Sequence, residues 1–274
     1  MRNFLQRDSM SLSIVTLAML VCASLPLKVY SKNFFFNTSV TGNTNRYKWD
    51  SINKENSLDV ELKPKYRSNS GITLSGYVPI SKSFKGEKKW SLSDGFVQPS
   101  YPIYEYEELL SITGVGRIYG PLSEASKNDT KMITKFSVLP TFSADLSQIG
   151  ATGLGLVYRP QYTYGVYEYK TSLSGKSNTL HTFTQLYGIS FDFLEKFSIS
   201  TSFFYSLYWT HKKNQKEDSF YWIQEASMIV NDYLSWDLGY SNQAGVKKDN
   251  GYDSNIKLTD DSSGTFYTSL TLKF

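Results

Sequence analysis

The sequence is poor in cysteine and in long apolar runs, and each shortage excludes a class of protein. Cys22 is the only cysteine among 274 residues, so no internal disulfide can stabilise the chain. No apolar stretch reaches the roughly 20 residues that a transmembrane helix needs. The formal net charge is only +4, and the basic residues are not gathered into the clustered surface that nucleic-acid binding requires. We therefore expect no nucleic-acid partner.

Histidine is scarce too, so the sequence offers few candidate residues for catalysis or metal binding. The two histidines are His181 and His211, and neither belongs to a cluster of His or Cys residues such as a metal site uses. Asp260 and Asp261 are adjacent acids with no histidine close in sequence. The glycines of 114–120 superficially resemble a dinucleotide-binding loop, but no helix follows them to hold a pyrophosphate. We expect no catalytic residue, no metal, no cofactor and no enzymatic activity.

The first residues have the pattern of a secretory signal peptide. Arg2 and Arg7 precede an uncharged run over 11–23, followed by small residues. This run is too short to span a bilayer as a helix. The sequence predicts a signal peptide over 1–31, cut after Ala23 or after Ser31, and a mature domain over 32–274.

Most of the mature chain alternates between apolar and polar residues, as a strand with one apolar and one polar face does. In the clearest example, Phe197, Ile199 and Phe203 alternate with serines on the other face. Tyrosine is abundant, at 21 residues, and its ring suits a membrane interface. Prolines at 79, 99, 102, 140 and 160 oppose regular strands and predict bulges. We predict about twelve strands, with ten or fourteen possible, at 34–44, 58–67, 72–80, 96–104, 110–119, 132–146, 153–167, 182–193, 197–209, 220–230, 234–240 and 265–274.

The connections and the last strand indicate how these strands are arranged. Short and long connections alternate from the fifth strand onward, as in a membrane barrel, whereas a soluble two-sheet sandwich, the alternative, has no such requirement. The chain ends on Phe274 after an alternating strand, and this ending resembles the closing strand of bacterial outer-membrane β-barrels. The resemblance implies an all-β, antiparallel transmembrane β-barrel with both termini periplasmic, located in the bacterial outer membrane. It also implies that Phe274 is recognised by the barrel assembly machinery.

If lipid contacts the apolar faces, the polar faces line the interior, and the residues there suggest what the barrel does. Charges segregated on facing walls would select polar solutes in a water-filled pore, whereas charges paired with each other would plug it. We predict a channel for passive diffusion of small hydrophilic solutes. The alternative is a structural or surface-interaction barrel with a blocked lumen, and a hydrolase at the barrel rim is less favoured. The predicted pore-lining residues are Asp59, Glu61, Lys63, Arg117, Lys135, Asp145, Arg159, Gln161, Asp192, Glu225, Asp237 and Lys273.

The expected partners follow from this placement. They are outer-membrane lipid and lipopolysaccharide around the barrel, the assembly machinery at Phe274, and the solutes that pass through. The sequence leaves the oligomeric state open.

Overall fold

The structure of the protein is a computed structural model, and it describes residues 33–47, 51, 53–85, 89–212, 218–248, 252–260 and 264–274. The predicted signal peptide lies outside these residues. In the described part of the chain, no helix is long and apolar enough to cross a membrane.

Antiparallel strands make up most of the described structure. Two short helical turns interrupt them, a π-helical turn at Ala125–Asp129 and a 3₁₀ turn at Leu146–Ile149. The strands are β1 (Phe34–Asn45), β2 (Asn56–Arg67), β3 (Thr73–Ser83), β4 (Trp90–Leu92), β5 (Gly95–Tyr106), β6 (Leu110–Gly120), β7 (Met132–Val138), β8 (Thr141–Asp145), β9 (Leu154–Tyr167), β10 (Thr179–Phe193), β11 (Phe197–Thr210), β12 (Ser219–Asn231), β13 (Leu234–Gly245) and β14 (Gly264–Lys273).

The sheet closes on itself into a barrel of twelve wall positions. Each wall strand pairs with its neighbours along the chain, and β1 pairs with β14 from Asn37↔Lys273 to Asn45↔Thr265. The strand β4 is additional and pairs with β3. Strands β7 and β8 share one wall position, since both pair with β6 and with β9. The predicted twelve-stranded antiparallel barrel is confirmed, and the sandwich alternative is wrong.

Proline explains why one wall strand is divided in two. Leu139 and Pro140 separate β7 from β8, and proline has no N–H group to donate to the ladder. A register shift also occurs between Pro102 and Tyr104 in β5. Pro79, Pro99 and Pro160, by contrast, stay within their ladders, opposite Glu61, Leu74 and Gln185. The expected irregularity is therefore found at two of the five prolines.

The two ends of the barrel differ in their connections. One end, the turn rim, has the connections 68–72, 107–109, 146–153, 194–196 and 232–233. The other end, the loop rim, has the longer connections 46–55, 84–94, 121–131, 168–178 and 246–263 and the connection 211–218. Both ends of the barrel domain lie at the turn rim, where Phe36 and Phe274 exchange backbone hydrogen bonds of 3.0 and 2.9 Å. That this rim is periplasmic stays a prediction.

The outer surface of the barrel is apolar and exposed. Val138 is 63% exposed and Ile199 and Leu238 are each 53% exposed, whereas a soluble protein of this kind would bury such residues. Phe191, Phe193 and Phe197 stack at the turn rim, with ring centroids 6.1 and 5.9 Å apart. An apolar outer band with aromatic side chains at its edge fits the surface that a transmembrane barrel presents to lipid.

Candidate functional site: the charged inner face

The strand register places all twelve predicted pore-lining residues on one face of the closed sheet. Going round the barrel, Ser39 pairs with Glu61, and Ser137 pairs with Arg117 on one side and with Thr163 on the other. Each of these pairs lies on the polar face, and the apolar residues of the same strands lie on the opposite, exposed face. The polar face is therefore the inner face of the barrel. Whether these residues line an open pore stays a prediction.

Four acidic residues form what we call the acidic wall: Asp59 and Glu61 on β2, Glu225 on β12 and Asp237 on β13. They lie within five consecutive wall positions, from β12 through β14 and β1 to β2. The Glu61 carboxylate accepts hydrogen bonds from the hydroxyls of Ser39, at 2.8 Å, and Tyr77, at 2.5 Å, and pairs with Lys63 at 2.6 Å. These donors hold the carboxylate in place on the inner face.

A glycine makes room for a hydrogen bond that crosses one strand of the acidic wall. Tyr267 on β14 donates a hydrogen bond of 2.7 Å to Glu225 on β12, passing over Gly239 on β13. A Cβ atom at Gly239 would clash with the Tyr267 ring. Glycine at this position therefore allows Tyr267 to lie flat against the wall and to orient the Glu225 carboxylate.

Three cationic residues form the basic wall: Arg117 on β6, Lys135 on β7 and Arg159 on β9. The Arg117 guanidinium donates to Gln98 at 3.0 and 2.6 Å and to the Tyr119 hydroxyl at 3.0 Å. It also lies 4.0 Å from the centroid of the Phe96 ring. Within the described residues, none of the three cations makes an ion pair, and neither Lys135 nor Arg159 makes a hydrogen bond.

The acidic and basic walls face each other. Strands β3 and β5 separate them on one side of the barrel, and β10 and β11 separate them on the other. A row of side chains joins them along the first side: Tyr77 stacks on Phe96 at 4.8 Å, and Phe96 contacts Arg117. Because Tyr77 also binds Glu61, this row links an acid of one wall to a base of the other along the inner surface.

The remaining predicted residues lie outside the two walls or modify them. Asp145 and Asp192 lie near the ends of β8 and β10 at the turn rim, as does Lys273 at the end of β14. Lys63 pairs with Glu61 and so partly neutralises the acidic wall. The Gln161 amide donates to Thr163 at 3.1 Å beside the basic wall.

The sequence did not predict the clamp that two loops form over the basic wall. The Asp129 carboxylate in the connection 121–131 accepts hydrogen bonds from the amide and hydroxyl of Ser174, at 2.9 and 3.2 Å. Asn178 donates to the carbonyls of Thr130 and Tyr169, at 3.0 and 2.9 Å. We call the connections 121–131 and 168–178 the loop clamp. Its residues lack any periodic pattern, so no signal in the sequence identified them.

A carboxylate from the neighbouring linker fastens the loop clamp to the barrel. Asp94 accepts hydrogen bonds from the amides of Leu122 and Ser123, at 3.1 and 2.9 Å, and from the Ser126 hydroxyl. Burial alone would raise the pKa of Asp94, but the hydrogen bonds from Ser126 and Ser123 bring the pKa below its ordinary value of 3.8. Asp94 therefore stays ionised at neutral pH and holds one loop in place.

Two cavities open at the loop rim. A cavity of about 460 Å³ lies between the loop clamp and the basic wall, where its lining includes Tyr119, Lys135, Thr163, Tyr167 and Tyr208. A second cavity, of about 740 Å³, lies beside the acidic wall and is lined by Asp59 and polar residues of β1 and β2. Each wall thus has its own polar recess at the same end of the barrel.

One histidine lies on the outer face of the barrel, and the other lies beside the loop clamp. His181 is on the outer wall, where its Nδ1 lies 2.6 Å from the Tyr162 hydroxyl. His211 follows β11 and packs edge-on against Tyr167, with ring centroids 6.0 Å apart. Asp260 pairs with Lys257 at 2.8 Å, and Asp261 lies outside the described residues. No group of three or more potential metal ligands occurs in the portion of the chain that the structure describes.

Comparisons with known proteins place this fold among outer-membrane barrels. No protein-family model and no curated protein match the sequence. An outer-membrane channel from Pseudomonas putida F1 matches with a TM-score of 0.61 and 9% identity, over 92% of this chain and 100% of that one. The NanC porin matches with a TM-score of 0.55 and 13% identity, over 86% of this chain and 98% of that one. At these identities the likeness shows the fold, which is that of a bacterial outer-membrane β-barrel.

Proposed function

We propose that the protein is a channel of the bacterial outer membrane through which small hydrophilic solutes diffuse passively. The observation that carries this proposal is the separation of charge on the inner face, with the acidic wall opposite the basic wall. Opposed charges create a transverse field, which orders polar solutes and favours them over apolar ones in a narrow, water-filled pore. The two similar folds belong to a channel and a porin, which supports the same proposal.

The alternative, a blocked barrel that serves as a scaffold, would require the inner charges to neutralise each other. Among the twelve predicted pore-lining residues, all of them described, Lys63–Glu61 is the single ion pair. Within the described residues, the cations of the basic wall form no ion pair. Lys135 interacts with a carboxylate only at longer range, that of Asp94 in the connection before β5. Unpaired charges in a closed barrel need water around them, so this arrangement favours a hydrated lumen.

We assign no catalytic step to the protein. The rim hydrolase would need a histidine near an acid or a serine nucleophile. The ring of His181 contacts tyrosines of the outer face, and the ring of His211 packs against Tyr167. The proposed partners are membrane lipid at the outer wall and the diffusing solutes at the inner wall.

Single-channel recording tests the channel directly. Reconstituted in a planar bilayer, the wild type should show discrete conductance steps. Arg159→Glu and Lys135→Glu should each shift the reversal potential in a salt gradient toward cation preference, because each removes a cation from the basic wall. Lys247→Glu makes the same charge change on an exposed loop and should leave the reversal potential unchanged. An electrically silent wild type would reject the channel, and equal shifts in all three variants would reject the role of the basic wall.

A further inference from the structure

The cavity beneath the loop clamp has the properties of a binding site rather than of a gap between mobile loops. Three loop-to-loop hydrogen bonds join the side chains or backbone of Asp129 to Ser174 and Leu173. Ser126, Ser172 and Asn178 in the loop clamp are buried. Asp94 ties one of the two loops, the connection 121–131, to the barrel. The roof of the cavity is therefore built before any solute arrives, which lowers the ordering cost of binding.

The floor of the cavity offers a cation that no acid of the described residues contacts directly. Lys135 interacts electrostatically with Asp94 but forms no ion pair with it. Lys135 is half-buried and contributes to the lining, and its ammonium makes no hydrogen bond or ion pair within the described residues. The acids nearby are already occupied: Asp94 accepts three hydrogen bonds, and Asp129 accepts two from Ser174. An anion that enters the cavity could therefore make the direct contact with the Lys135 ammonium that Asp94, held by its own hydrogen bonds, does not make.

The rest of the lining is rich in hydroxyl groups and aromatic rings. Thr163, Thr182, Ser172 and Ser174 contribute to it, together with the rings of Tyr119, Tyr167 and Tyr208. Hydroxyl groups can donate and accept hydrogen bonds, so they suit a solute that carries hydroxyls of its own. The volume of about 460 Å³ falls within the range of small-molecule sites.

We propose that this cavity binds a small hydroxylated organic anion as the first site on the basic wall, with Lys135 contacting its acidic group. The inference rests on the proposed channel function and names the solute class that the channel takes. Arg117 and Arg159 occupy the same wall as Lys135 and interact electrostatically with each other. An anion that leaves the cavity therefore meets two further cations along the inner face.

Equilibrium binding to the folded barrel in detergent micelles tests the site independently of conductance. The probes are gluconate, sorbitol, which has the same carbon chain and no charge, and acetate, which has the charge and no hydroxyls. Calorimetry should show gluconate binding at least about tenfold more tightly than either, since each of the others lacks one of the two recognised features. Equal affinities for gluconate and sorbitol would overturn the proposed anion, and equal affinities for gluconate and acetate would overturn the hydroxylated class.

Substitution of the cation locates the site. Lys135→Gln should weaken gluconate binding about tenfold, the loss expected for one charge-assisted hydrogen bond, and should leave sorbitol unaffected. Lys247→Gln, on an exposed loop, is the matched control and should bind gluconate as the wild type does. Heat-modifiable migration on a gel verifies that each variant forms a barrel. Unchanged gluconate binding in folded Lys135→Gln would overturn the proposed site.

The two proposals fail in different ways. A wild type that conducts but binds gluconate no better than sorbitol overturns the anion site and leaves the channel intact. A wild type that is electrically silent but binds gluconate through Lys135 rejects the channel and supports the site.

Discussion

An arginine on the outer face of β10 should destabilise the barrel in lipid, whereas an arginine on the inner face beside it should not. Ile189 is 51% exposed on the outer face, and Ser190 faces the interior, where it pairs with Gly155 and Ser200. Ile189→Arg and Ser190→Arg thus place the same side chain at nearly the same depth on opposite faces. This pair isolates contact with lipid from every other consequence of adding an arginine.

The expected cost follows from the depth of each residue. A strand that rises about 3.4 Å per residue and tilts by about 40° climbs about 2.6 Å per residue along the membrane normal. Ile189 lies four residues from Phe193, the aromatic residue at the turn rim, and is therefore about 10 Å inside an apolar band of about 25 Å. Near the midplane, arginine costs about 2–4 kcal/mol. Ile199, two residues from Phe197, lies only about 5 Å inside, and Ile199→Arg should cost about 1–2 kcal/mol.

Unfolding titrations with denaturant in phospholipid vesicles, followed by tryptophan fluorescence, measure these costs. Ile189→Arg should lose the most stability, Ile199→Arg less, and Ser190→Arg and Ser200→Arg almost none. Similar losses for the inner and outer variants would contradict the placement of the apolar face in lipid. A larger loss at Ile199 than at Ile189 would contradict the depth assignment while leaving the barrel intact.

The strands were predictable because their signal is local. A period of two in apolar residues depends on neighbouring positions alone, and each of the twelve predicted segments coincides with a wall position of the barrel. The boundaries were less accurate where the pattern fades. The strand predicted at 234–240 continues to Gly245 in β13. The prediction ended too early because Asn242 and Gln243 are both polar, so the alternation of apolar and polar residues is lost there.

The sequence predicted whether each residue lies on the inner or the outer face of the barrel, but it did not predict where the residues lie around the circumference. Alternation alone puts Arg117, Lys135 and Asp59 on the polar face. That Arg117 and Asp59 lie on opposed walls depends on the closure of β1 onto β14 and on the shared position of β7 and β8. The break at Pro140 could be expected from the missing N–H group of proline, yet whether it ends a strand or divides one is decided by pairing with β6 and β9.

The loop clamp lay beyond prediction for a different reason. Asp129 and Ser174 are 45 residues apart in sequence. Neither loop has a periodic pattern of apolar and polar residues from which their contact could be predicted. Loops contact each other through single polar groups whose partners are set by the tertiary structure. The cavity and the proposed anion site therefore became visible only once the strands had brought the two loops together.

Two further predictions concern the closing strand and the loop clamp. Phe274→Asp, or deletion of Phe274, should leave unassembled protein in the periplasm, because each removes the aromatic side chain proposed as the recognition feature. Deletion also removes the two backbone hydrogen bonds between Phe274 and Phe36 at the seam. Normal heat-modifiable migration of either variant would contradict this prediction. The loop clamp should loosen in acid, because the pKa of Asp94 is lowered in the folded protein by its hydrogen bonds from Ser126 and Ser123. A lowered pKa means that the ionised carboxylate stabilises the folded loop at pH values above the ordinary pKa of 3.8. This stabilisation is lost as the pH falls through the lower pKa of the folded protein. Hydrogen exchange of the peptide 121–131, corrected for intrinsic rates, should therefore show protection that is constant near neutral pH and falls below about pH 4. Asp94→Asn should show weaker protection at neutral pH and little further loss in acid, and the same pH profile in both proteins would refute the role of the Asp94 charge.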